Sequence, residues 1–97
     1  MLKRNAQHIK DVLSQFFEEN PALKTSVAEH RAITAWRDLL GEGVSKYTKN
    51  IYFRRNVLYV QLTSAVLRAE LQMNKNNLIE RLNEAAGMHI VNDIVLR

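Results

Sequence analysis

Apolar side chains first recur along this chain with a helical period and later with a strand period. Ile9, Val12, Leu13, Phe16 and Phe17 fall at i, i+3, i+4, i+7 and i+8. That spacing is one face of a 3.6-residue repeat and predicts a helix over 5–19. Asn20-Pro21 stops it, because the residue before a proline is steered away from α geometry. A second helix is predicted over 24–40, with Ala32, Ile33, Trp36, Leu39 and Leu40 as its apolar stripe. Ser26-Val27-Ala28-Glu29 has the form of a capping box, and a start one turn earlier is equally compatible. Gly41 stands where a left-handed C-cap belongs, and Gly41-Glu42-Gly43 then turns the chain.

After Gly43 the period changes to two. With Arg55-Asn56 as a two-residue turn, Phe53 faces Leu58, Ile51 faces Val60 and Lys49 faces Leu62. The opposite face pairs Tyr52 with Tyr59, Asn50 with Gln61 and Thr48 with Thr63. One register thus sorts nearly every apolar side chain to one face, with Lys49 the exception at the frayed end. Ser64 is positioned to cap a third helix over 64–86, on which Leu67, Leu71, Leu78, Leu82 and Ala86 recur at helical spacing. The Asn74-Lys75-Asn76-Asn77 stretch is its weak point, open to a break or kink, since asparagine favours turns over helix interiors. Gly87 closes the helix. Residues 89–97 read as a last strand, apolar at both parities as in a strand covered on both faces. The expected architecture is α+β: order α-α-β-β-α-β, a two-layer sandwich with a small sheet and helices on one of its faces.

Composition narrows the class. At 97 residues the chain is one domain, 1–97, and 46% hydrophobic with 25% charged residues is ordinary globular content. No apolar run approaches the about 20 residues of a membrane span, and the polar amphipathic start leaves no signal-peptide core, so a cytoplasmic location is expected. The absence of cysteine excludes disulfides, thiolate metal sites and a cysteine nucleophile. His8, His30 and His89 lie on separate predicted elements without a partner at ligand spacing, so no metal or cofactor is expected. Neither a P-loop, a G-x-G-x-x-G nor a G-x-S-x-G occurs, and no nucleophile, base and oxyanion donor assemble. An enzyme is not expected.

Charge points to a binding surface instead. Acids and bases cancel over 1–43, so the whole net charge of +4 sits in 44–97. Between Glu42 and Glu70 there are five cations and no acid, a local excess that favours polyanions. The sheet face away from the helices is expected to carry Lys46, Thr48, Asn50, Tyr52, Arg54, Tyr59, Gln61 and Thr63. Arg55 at the turn, with Arg68 and Lys75 on the following helix, extends it. Such donors suit phosphates, and exposed aromatics stack on unpaired bases. Lys46, Arg54, Arg55, Arg68, Lys75, Tyr52 and Tyr59 are therefore the candidate nucleic-acid-binding residues. Two other readings stand beside this: Tyr52 and Tyr59 as a cross-strand pair that stabilises the hairpin, or a sheet face or edge covered by a protein partner or a second copy.

An ordered series of residues also resembles a known family. It runs through Trp36, Leu40-Gly41, Arg55-Asn56-Val57-Leu58-Tyr59-Val60, Leu62-Thr63-Ser64, Glu70-Leu71, Leu78-Ile79-Glu80-Arg81-Leu82-Asn83 and Ile90-Val91-Asn92-Asp93-Ile94. This is similar to the bacterial DciA family, long catalogued as a domain of unknown function. The resemblance implies a KH-like fold of type II and DNA binding; with only a few cations to neutralise phosphates, that binding is expected to be weak and with little sequence preference, to single- or double-stranded DNA. It further implies a part in loading the DnaB-type replicative helicase during DNA replication. No long flexible extension of the kind many family members carry is expected, and the G-x-x-G loop of true KH domains does not occur, so KH-type RNA binding is not expected.

Overall fold

The computed structural model describes residues 2–97, with side chains from His8 onward. Seven elements follow one another: α1 (Leu2–Glu19), α2 (Pro21–Ser45), β1 (Thr48–Arg54), β2 (Val57–Leu62), α3 (Ala65–Met73), α4 (Lys75–Ala86) and β3 (Asp93–Leu96). The fold is α+β, as expected, with one helix more than the period alone predicts. Asn74 divides the third predicted helix: it is the C-cap of α3 and the N-cap of α4, and its Nδ2 donates to the Glu70 carbonyl at 2.9 Å. That local bond offers the backbone an alternative to an unbroken helix.

Asn20 separates α1 from α2. Its backbone is non-helical (φ −132°, ψ 71°), its Nδ2 donates to the Phe16 carbonyl at 2.8 Å, and Pro21 opens α2 at N1. Proline is suited to that position because its missing N–H would have no helical partner there. The Ser26–Glu29 capping pattern therefore lies inside α2 and does not start it. Gly41 has the positive φ expected of it, +76°, but its ψ of −179° is extended and not that of a left-handed C-cap, and the chain then makes another helical turn, so α2 runs on to Ser45. The first strand consequently begins at Thr48, with Lys46 and Tyr47 in the preceding turn.

The sheet order is β1-β2-β3, with β1 antiparallel and β3 parallel to β2. Phe53↔Leu58, Ile51↔Val60, Tyr52↔Tyr59 and Asn50↔Gln61 pair as the alternation predicts. The register slips between Thr48 and Asn50, so that Thr48, not Lys49, pairs with Leu62. The irregularity has a clear physical basis. It leaves Lys49 exposed and lets the Thr48 hydroxyl accept from Trp36 Nε1 at 3.3 Å while donating to the Val44 carbonyl at 3.1 Å. A buried indole N–H needs such an acceptor, and a lysine there could not supply one.

The core lies on one face of the sheet. Leu58, Val60, Leu62 and Ile94 meet Trp36, Leu71, Leu78 and Leu82, and Trp36 and Leu82 have no exposed surface. Ala28, Ala32 and Ala35 on α2 and Ala86 on α4 are also buried, small side chains that let those two helices pack closely. β3 is shorter than expected and is an edge strand, not one covered on both faces. Ile90 and Val91, expected in the strand, lie in the segment that precedes it and are buried in the core, and Val95 is only half-buried. The greatest departure is α1. Ile9, Val12, Leu13 and Phe16 are 58, 50, 47 and 45% exposed, so the stripe predicted to pack on the sheet instead faces outward.

Candidate nucleic-acid interface

The hairpin between β1 and β2 is closed by Arg55 and Asn56, at φ +52° and +63°. Two consecutive positive φ values define a type I′ turn, whose twist matches that of the flanking strands. The turn therefore fixes the register and projects Arg54 and Arg55, both exposed, at one end of the hairpin. Behind them on the open face, Tyr52 and Tyr59 stack with ring centroids 5.1 Å apart and planes 8° from parallel. Arg97 joins them. Its guanidinium donates to the Tyr52 hydroxyl at 2.6 Å and lies 5.1 Å from the Tyr59 ring centroid.

Arg97 is the member of this face that sequence reasoning missed. Val95 pairs with Tyr59 in the parallel ladder, which puts Arg97 two residues further along on the same face. The signal was its parity opposite to buried Ile94, obscured because β3 read as covered on both faces.

The other predicted residues are dispersed. Lys46 is the C-cap of α2 and not a strand residue; its ammonium sits 5.4 Å from the Tyr47 ring centroid. It borders an open groove of about 620 Å³ shared with Arg37, Glu42, Lys49 and Asn50. The length of β1, about 20 Å at 3.3 Å per residue, separates this groove from Arg54 and Arg55. Thr48, expected on the open face, points instead to Trp36. Arg68 donates from Nη2 to the Leu62 carbonyl at 3.4 Å, and its buried Nε has no partner. That guanidinium is committed to the α3–β2 junction. Lys75 pairs with Asp93 at 3.0 Å. The Lys75 hydrogen bond holds the Asp93 carboxyl below its usual range; burial opposes it, and the Ile94 amide and the Lys75 charge add smaller lowering effects.

The geometry thus brings Tyr52, Tyr59, Arg54 and Arg55 together with Arg97, sets Lys46 in a second cationic site, and engages Arg68 and Lys75 elsewhere. Among the described residues, Lys46, Lys49, Arg54 and Arg55 make no ion pair with a carboxylate. No group of three or more metal-ligating side chains occurs among them, and no helix is long and apolar enough to cross a membrane.

A family model described as "Dna[CI] antecedent, DciA" matches residues 8–96. No curated protein and no solved structure matches the chain.

Proposed function

The chain belongs to the DciA family, a family of helicase loaders, and from that premise we propose that it assists loading of the DnaB-type replicative helicase by holding DNA against its β1–β2 hairpin. The observation that carries the DNA-binding part is the sign and freedom of the charge. Arg54 and Arg55 stand exposed at the turn, with Lys46 and Lys49 at the far end beside Glu42, and none of the four cations is in an ion pair with a carboxylate among the described residues. Exposed cations contact phosphate without reading sequence. The paired tyrosine rings beside them offer an aromatic surface to an unstacked base. The hairpin therefore suits weak, salt-sensitive, sequence-tolerant binding.

The test is DNA affinity of the wild type and of the Arg54→Glu/Arg55→Glu double variant, by fluorescence anisotropy at two salt concentrations on single and double strands. If both arginines contact phosphate, the slope of log K on log salt becomes shallower by about 1.4 to 1.8 and affinity falls at low salt. Unchanged affinity and slope would remove the hairpin from the interface. A pull-down of the replicative helicase after nuclease treatment tests the other part of the proposal: retention of the helicase shows direct contact, and its loss shows a bridge of DNA.

A further inference from the structure

The outer edge of β1 has no strand beside it. β2 lies between β1 and β3, so β1 pairs on one side only. Which of its backbone groups face outward follows from the far side of β2. The Val60 carbonyl accepts from the Arg97 N–H, and the Leu62 N–H donates to the Arg97 carbonyl. Val60 and Leu62, with Leu58 by parity, therefore turn their backbone toward β3. Val60 and Leu58 are the partners of Ile51 and Phe53. In an antiparallel ladder the two members of such a pair turn their polar groups away from each other. The N–H and C=O of Ile51 and Phe53 thus point out from the sheet edge, and among the described residues no helix or loop backbone bonds them.

A groove of about 620 Å³ follows this edge, with Lys49, Asn50 and Ile51 on the strand side and Arg37, Glu42 and Lys46 on the α2 side. Arg37, Lys46 and Lys49 are exposed, and none is in an ion pair with a carboxylate among the described residues. Even with Glu42 the groove keeps an excess of positive charge.

These features select the occupant. An open strand edge is completed by a chain that offers N–H and C=O in alternation. A DNA backbone offers acceptors only, which leaves the Ile51 and Phe53 carbonyls without a donor and sets phosphate beside Glu42. A second copy of β1 would bring Lys49 and Arg54 to an edge that already carries both. Lysine and a register irregularity on an edge work against indiscriminate pairing. Carboxylates on the incoming strand turn that obstacle into an attraction.

We propose that the outer edge of β1 and its groove take up an extended acidic peptide segment of a protein partner, which adds to the sheet as a fourth strand. Ile51 and Phe53 supply the ladder bonds, and Arg37, Lys46 and Lys49 meet the carboxylates. The contact does not rest on DNA binding by Arg54 and Arg55.

Amide hydrogen exchange of the full chain, followed by NMR, tests it with a short peptide of alternating Glu and Val as the probe. At up to about 1 mM peptide, the weak end of specific binding, exchange at Ile51 and Phe53 slows several-fold more than at Tyr52, which already pairs with Tyr59. Methylating alternate backbone nitrogens of the peptide abolishes the effect in one frame and spares it in the other, because only one set of its N–H groups faces β1. Arg37→Glu weakens binding at least several-fold, while Trp36 fluorescence and the thermal transition of the core persist. A peptide of alternating Lys and Val gives no protection. Absence of protection by the acidic peptide at about 1 mM overturns the proposal. So does binding indifferent to methylation in both frames, or to Arg37→Glu. The same alternating protection from a DNA duplex in place of the peptide overturns it too and assigns the groove to nucleic acid.

Discussion

Asn83 grips Val91 on both sides of its Cα: its Oδ1 accepts from the Val91 N–H at 2.8 Å and its Nδ2 donates to the Val91 carbonyl at 3.1 Å. The same Oδ1 accepts from the Ile90 N–H, also at 2.8 Å. One side chain on α4 thereby satisfies the irregular backbone that leads into β3, and it seats Ile90 and Val91 in the core.

Asn83→Leu should therefore cost more than a surface change on a helix. It leaves two part-buried amides and a carbonyl without partners, roughly 2–4 kcal/mol by the usual cost of unsatisfied groups. Urea denaturation followed by Trp36 fluorescence reads this as a lower midpoint at unchanged slope. Asn83→Asp keeps the acceptor for both amides and should lose less. Equal losses would show that the amide bonds are not what holds the loop.

Thr48→Val keeps the shape at the irregular start of β1 but removes the acceptor for the Trp36 indole N–H. A loss of about 1–2 kcal/mol is expected. Trp36→Phe in the same background removes the orphaned donor, so the two changes should be less than additive in a double-mutant cycle. Strict additivity would separate Thr48 from Trp36 energetically.

The Lys75–Asp93 pair makes stability depend on pH at the acid end. Asp93 has a lowered pKa in the folded state, so its contribution is present above the ordinary carboxylate pKa, 3.8, and is lost as pH falls through the lower folded value. The pair is partly exposed, which limits it to about 1 kcal/mol or less. Asp93→Asn should lower stability at neutral pH and match wild type once the pH lies below that window. It also releases the Lys75 ammonium, so DNA affinity at low salt should rise slightly. A stability difference constant from neutral to acid pH would contradict the linkage.

Arg55 holds φ +52° without being glycine, a conformation that costs a side-chain-bearing residue on the order of 1 kcal/mol. Arg55→Gly should raise the thermal midpoint while making the salt dependence of DNA binding shallower by about one phosphate contact. Arg55→Val removes the same charge and should lower the midpoint. Opposite stability effects with the same loss of binding would separate the role of the turn from that of the charge.

Much of this was legible in the sequence. Alternation from Asn50 to Gln61 specified the hairpin register residue by residue, because a slip of one would send Ile51, Phe53, Leu58 and Val60 to water together. The positive φ at Gly41, Arg55, Asn56 and Gly87 fell where turn chemistry placed it, at a glycine or at the two-residue turn. The weakness at Asn74 was readable because asparagine side chains compete locally for backbone groups.

What the sequence determined by itself was local: which segments are helix or strand, which face of each is apolar, and where the cations are numerous. Period, turn chemistry and charge order are properties of neighbours in the chain. Only the tertiary structure decided where those faces go. It left the stripe of α1 uncovered and made β3 an edge, which brought Arg97 onto the tyrosine pair. It also paired Lys75 with Asp93, turned Thr48 inward to Trp36, and committed Arg68 to a carbonyl. Each of these joins residues by proximity in space, and a one-dimensional pattern of apolar and polar positions does not encode which apolar surface finds another or which charge finds its mate.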